Sequence, residues 1–367
     1  MPIQTKNAHR SESGFSLIEV MVALVIGMLG VLVIMQVFSI FEGQKRTTTG
    51  SGDAQNGGAI ALYSIQRDVQ QAGEGISTLN LLGCNVTLPS GVTINAMAPV
   101  TINHPSIIGQ DANTDTLLVV YGGSNSPPEG NLITSQTATT YAVQSNALFT
   151  AGDVVIAESS TRPSPCNLTA TFMTSVSTTD PYTVTPATTV AGMTSGTLYT
   201  LGSAVTVRAY AIRNGNLTMC DYMQNNCGLA ANNSSSTVWV PIANNIVSMR
   251  AQYGRDTNAG VMNGIVDTYD QTTPTTACGW VRAPSVRMVL VARNNQPNKT
   301  AVTGGAPIWS GSTANNPAGF TSTVQAVNLT STVPTGTGFT WDDYRYKTFE
   351  TTIPIQNVQF LGVQAGC

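Results

Sequence analysis

Charge is scarce in this chain. Asp, Glu, Lys and Arg make up only 10% of its 367 residues, and the formal net charge is −3. An ordinary soluble domain carries about 25%. No cluster of Lys and Arg stands out, so the basic face that nucleic-acid binding needs to displace counterions is missing. No nucleic-acid partner is expected. Histidine is nearly absent too: His9 and His104 are the only two, and neither has another at ligand spacing. Histidine-based zinc sites and acid–base catalysis are left without residues, and His104 reads as a loop or structural residue. No Ser/His/Asp set can be assembled without it, and no GxxxxGK[ST] phosphate loop occurs. The carboxylate pairs Asp342-Asp343 and Asp267 with Asp270 read as solvated turns. The expectation is a protein that is not an enzyme and holds no cofactor.

Polarity comes instead from Thr, Ser, Asn and Gly. Such chains favour β-structure with many turns, because β-branched side chains fit a pleated surface. Six cysteines (Cys84, Cys166, Cys220, Cys227, Cys278 and Cys367) form an even set with no C-x-x-C spacing. They read as disulfides of an oxidising compartment. Cys220 and Cys227 are expected to pair, since the short Asn-containing stretch between them closes as a turn. Spacing leaves the pairing among Cys84, Cys166, Cys278 and Cys367 open.

The N-terminus holds the sharpest signal. A polar stretch ends in Gly14-Phe15-Ser16-Leu17-Ile18-Glu19, and an apolar run of 22 residues follows from Val20 to Phe41. As a helix it spans about 33 Å, enough for a hydrocarbon core of about 30 Å. In a secretory signal the small-residue cleavage site follows the apolar core; here Gly14 precedes it. Glu19 stands at the edge of the run, where a carboxylate usually has a partner or a task.

These residues resemble the leader junction of type IV pilins and type II secretion pseudopilins. The resemblance implies a leader over 1–14, cut between Gly14 and Phe15 by a prepilin peptidase, and N-methylation of Phe15. It implies an assembly role for Glu19, whose carboxylate would attract the N-terminal ammonium of a neighbouring subunit. Further stretches are similar to the PilW minor pilins: Gln66-Arg67-Asp68 with Ala72-Gly73, the segment Ile246 to Tyr269, and Tyr344 to Asn357 near the C-terminus. Gln356 stands where that family usually has arginine, and Gln36 where major pilins commonly have proline. The implied function is a minor pilin that co-assembles into a type IV pilus, at or near its tip, and helps prime assembly. Implied partners are other minor pilins, the major pilin, the prepilin peptidase and the bacterial inner membrane, which the chain would cross once with its head in the periplasm. The alternatives are a minor pseudopilin of type II secretion and a tip adhesin.

The fold expected is α+β and pilin-like: a long N-terminal helix over 15–76, packed on a large antiparallel β-rich head over 77–367. Within the helix, 20–41 would span the membrane. Gly50, Gly52, Gly57 and Gly58 would break it at 50–58, and 59–76 would be amphipathic. Leu62, Ile65, Val69, Ala72 and Ile76 make its apolar stripe, expected to pack on the protein's own sheet, with Asp68 among the residues on the other sides. Thr116 to Tyr121, Ser203 to Arg213, Ile246 to Tyr253 and Ser285 to Arg293 read as strands. Ser124 to Gly130 and Thr169 to Thr189 read as turn-rich. A boundary between two lobes would fall near 190–240. Asp256, Asn258 and Asp267 take the first, third and twelfth places of a calcium loop, but Gly260 and Val261 stand where a ligand and a glycine are needed. A turn joining two strands is the preferred reading there.

Overall fold

The computed structural model describes residues 14–123, 129–314, 321–333 and 336–367. Most of the expected leader and of the Ser124 to Gly130 loop therefore lies outside the described residues. The architecture is mixed α+β, a long N-terminal apolar helix followed by a β-rich domain. Residues 1–50 and 51–367 form two compact units.

Helix α1 runs over Leu17–Gln71. In the first unit every described side chain from Phe15 to Lys45 is exposed. Helix α1 is long and apolar enough to cross a membrane. The expected break at 50–58 is not there, because α1 continues through all four glycines. Gly58 shows why: a Cβ at that position would lie 2.1 Å from the Phe349 ring. A helical glycine costs about 1 kcal/mol, and here it gives room to the partly buried Phe349 ring, which packs against the apolar core. The glycine is a seat for Phe349. The C-terminus also differs from expectation. Gly73, at φ +90°, stops the helix, so Ile76 is buried beyond α1 in a different apolar cluster from Ile65, Val69 and Ala72.

The chain then enters strands β1 Asn85–Thr87, β2 Thr93–Ile94, β3 Val100–Ile102 and β4 Leu117–Tyr121. Next come β5 Asn131–Gln136, β6 Tyr141–Val143, β7 Val154–Glu158, β8 Asn167–Val176, β9 Thr183–Pro186 and β10 Thr197–Gly202. They are followed by β11 Thr206–Arg213, β12 Asn216–Asp221, β13 Val240–Ala243, β14 Ile246–Arg255 and β15 Thr268–Asp270. Helix α2, Ala277–Val281, precedes β16 Ser285–Arg293, β17 Thr321–Ser322 and β18 Tyr346–Pro354, and α3 covers Gln356–Gln359.

Two five-stranded sheets, ordered β13-β12-β11-β4-β3 and β17-β15-β14-β16-β18, share a core with the second half of α1. Ile65, Val69 and Ala72 join Ile102, Leu117, Tyr210, Met249, Met288 and Ile353 in one apolar cluster. Strand β16 is buried along its whole length. Its alternation sends Val286, Met288 and Leu290 into that cluster and Val289 and Val291 into a second one around Trp309. Arg287 sits between these residues with its guanidinium over the Tyr269 ring, 3.9 Å from the centroid.

The third sheet has the order β2-β1-β8-β7-β10-β5-β6-β9, and β8 also pairs with β9. The N-terminal half of β8 bonds β7 and its C-terminal half bonds β9. Strands β8, β7, β10, β5, β6 and β9 thus close into a ring, which leaves no free edge among them. Ile133, Tyr141, Phe149, Val155, Met173, Val184 and Leu198 fill it. This corrects the turn-rich reading of Thr169 to Thr189: much of it is extended in β8 and β9, with Met173 and Val184 in the filling of the ring and Ala170, beside Leu168, in the neighbouring apolar cluster around Cys84 and Val86.

Candidate processing and assembly site

Gly14, Phe15 and Ser16 precede α1 in no regular conformation. Phe15 is 86% exposed, and nothing among the described residues lies within 4 Å of where a Cβ on Gly14 would sit. The peptide bond between them is open to approach. Three residues on, the first turn of α1 carries Glu19, whose Oε2 accepts the Ser16 N–H at 3.3 Å. A carboxylate there meets an unsatisfied N–H and the positive end of the helix dipole. Its bond to Ser16 turns it back towards Phe15. The junction therefore offers an accessible small-residue bond and, beside it, a lone carboxylate at the head of an apolar helix.

The other residues singled out by sequence lie elsewhere. Cys220 and Cys227 are joined at the end of β12, Cys84 is bonded to Cys166, and Cys278 to Cys367. The last two close loops of 82 and 89 residues, which chain entropy values at about 4–5 kcal/mol each, against about 2–3 for the short one. Asp256 spends its oxygens on backbone N–H groups, Oδ1 on Asn258 at 3.0 Å and Oδ2 on Asn263 and Gly264 at 2.7 and 2.8 Å. The Arg282 guanidinium lies 3.7 Å away. Burial works to raise this carboxyl's pKa, but the backbone N–H groups and Arg282 together hold it below the usual range. Asp267 Oδ2 accepts from Thr257 N at 2.9 Å. These bonds describe a turn rather than a cation cage, and no group of three metal-ligating side chains occurs among the described residues. His104 is buried, its Nε2 bonded to Asn95 O and its Nδ1 accepting the Ser106 N–H. Burial lowers its pKa.

Sequence reading placed Asp68 on a polar side of α1, and the structure corrects that. Asp68 is 4% exposed. Its carboxylate receives the Tyr121 hydroxyl at 3.1 Å, the Tyr210 hydroxyl at 2.5 Å and Arg208 Nη1 at 2.9 Å. Burial and the Asp68 charge push the Tyr210 phenol above its ordinary range. Burial works to lower the Arg208 pKa, but its bond to Asp68 and the Asp68 charge carry it upward. The signal was available in the spacing, since Asp68 falls three residues after Ile65 and four before Ala72, on the apolar stripe itself.

Processing at the junction has a direct test. Mass spectrometry of the mature protein is expected to find an N-methylated Phe15 as the first residue. Gly14→Val should leave the precursor uncut, because a branched side chain would occupy the open approach at the scissile bond.

The comparisons fall on the same two regions. Residues 9–35 match the family model described as prokaryotic N-terminal methylation motif, and residues 209–357 the model described as type IV pilus-assembly protein W. The second match runs from β11 through β18 to the first turn of α3. The closed ring lies outside it. Among solved structures, a type IV-like pilin from Thermus thermophilus is similar at 13% identity, covering 57% of this chain and 86% of that one, with a TM-score of 0.21. None of the curated proteins matches the chain.

Proposed function

The chain is a type IV pilus-assembly protein of the PilW type, and from that premise we propose that it is a minor pilin, cut after Gly14, that enters the fibre near its tip and helps start polymerisation. The observation that carries this reading is the junction itself. An open Gly14–Phe15 bond and a carboxylate at Glu19 stand at the head of a helix whose apolar side chains are exposed from Leu17 to Phe41. Such a surface has no partner among the described residues. It is suited first to lipid and then to the helices of neighbouring subunits.

Before assembly the chain crosses the inner membrane once, with the β-rich domain in the periplasm, where the three disulfides form. Its partners are the prepilin peptidase, the major pilin and other minor pilins. A head of more than 300 residues suits an end position, because each repeat along a shaft would have to accommodate it. Sheared, purified pili probed for this chain and for the major subunit provide the test. The expected result is a small fraction of the major subunit's amount, and loss of most surface pili when the chain is deleted. Normal piliation with loss of protein secretion would instead assign it to a type II secretion pseudopilus.

A further inference from the structure

We propose that the open cleft between the Thr78–Asn80 loop, strand β10 and the segment after α3 binds a neutral saccharide, a role beyond the assembly function. The cleft has a volume of about 540 Å³, within the range of small-ligand sites and ample for one or two sugar rings. Its walls include Asn80, Glu129, Thr197, Tyr199, Phe360 and Gln364. The amides of Asn80 and Gln364, the Glu129 carboxylate and the Thr197 hydroxyl are donors and acceptors of the kind that sugar hydroxyls bond. Phe360 adds exposed aromatic surface, on which the C–H face of a pyranose packs.

Three features show that this wall is held in place. Asn80 Nδ2 donates to the Tyr199 hydroxyl at 3.0 Å. Arg162 donates to the carbonyls of Leu79, Asn80 and Leu82, fixing the loop that carries Asn80. Glu158, only 2% exposed, stands opposite Thr197 across the β7–β10 ladder and so on the same sheet face as Tyr199. It is not itself one of the residues that line the cleft, and it backs the wall that Tyr199 and Thr197 form. Phe360, by contrast, is 82% exposed and forms the lip.

Charge narrows the ligand. Glu129 is the one lining residue charged at neutral pH, so sialic acid, phosphate and nucleic acid meet repulsion without a compensating cation. A cation is no better served, since one carboxylate in an open cleft is a weak trap.

The test uses the processed full chain in a detergent without a sugar headgroup. Saturation-transfer NMR is run with glucose, galactose, N-acetylglucosamine, lactose, sialic acid and choline. Transfer is expected to at least one neutral sugar, with a dissociation constant of about 1 mM, as few-anchor open sites give. Phe360→Ala and Gln364→Ala, which change exposed or partly exposed side chains, should keep the fold and weaken binding about tenfold each. No transfer to any neutral sugar at about 10 mM would overturn the proposal. So would stronger transfer to sialic acid or choline, or binding unchanged in the Phe360→Ala, Gln364→Ala double variant. Neither result depends on whether the chain enters a pilus.

Discussion

Replacing Asp68 by alanine should destabilise the β-rich domain by about 3 kcal/mol, the largest single-residue effect on its folding expected outside the disulfides. Asp68 is the acceptor for two tyrosine hydroxyls and one guanidinium, and it ties α1 to β4 and β11. Removing it leaves the fully buried Tyr210 hydroxyl without a partner, which costs about 1–3 kcal/mol. Arg208 would lose its counter-charge. Its side chain is 35% exposed, so water recovers part of that loss, and the full cost of a broken buried pair, about 3–5 kcal/mol, is not reached. Denaturant melts of the full chain read the difference. Asp68→Asn should fall between alanine and wild type, because it keeps one acceptor and loses the charge. A midpoint for Asp68→Ala within about 0.5 kcal/mol of wild type would mean that the apolar stripe alone holds α1 in place. Cleavage at Gly14 should be unchanged in both variants.

The contrast between Asp68 and the glycines shows what a sequence can and cannot disclose. The helix–then–β-rich plan was readable, because a membrane-length apolar run and β-branched, charge-poor segments each report their own local preference. The junction at Gly14, Phe15 and Glu19 was readable for the same reason: its elements lie within six consecutive residues. Asp68 was readable in principle from its distance to Ile65 and Ala72. Gly58 was not. Its glycine cost is local, but the Phe349 ring that it makes room for comes from almost 300 residues further on. The ring of strands escaped notice for a related reason. Thr169 to Thr189 has turn-like composition, and it is extended only because β8 finds two partners, β7 and β9, that composition does not reveal. The saccharide cleft was the least accessible of all, since its walls come from three distant segments and none carries a motif.

Glu19→Ala is expected to abolish or nearly abolish surface pili while leaving the membrane-bound pool intact. Among the described residues Glu19 bonds only the exposed Ser16 N–H, a contact worth no more than about 1 kcal/mol to the start of the helix. The residue also lies in the first compact unit, outside the β-rich domain of 51–367. Folding of the head should be indifferent to it, and insertion should be no worse, because a carboxylate is unfavourable in an apolar helix. What disappears is the charge that a neighbouring subunit's N-terminal ammonium would meet. At 4 Å and an effective dielectric near 20 that attraction is about 4 kcal/mol, equivalent to a factor of roughly 10³ in docking. Glu19→Gln separates the two roles of the side chain. It keeps an oxygen for Ser16 N but removes the charge, so it should fail like alanine if pairing is the function and behave as wild type if capping is. Pili are counted on cells whose only copy is the variant, with the membrane pool quantified alongside and the head's protease resistance measured. Normal piliation by Glu19→Ala would remove the charge-pairing role. A defect accompanied by loss of the membrane pool would move Glu19 from assembly to insertion. The outcome expected is few or no pili from both variants, an undiminished pool, and a head as resistant as that of the wild type.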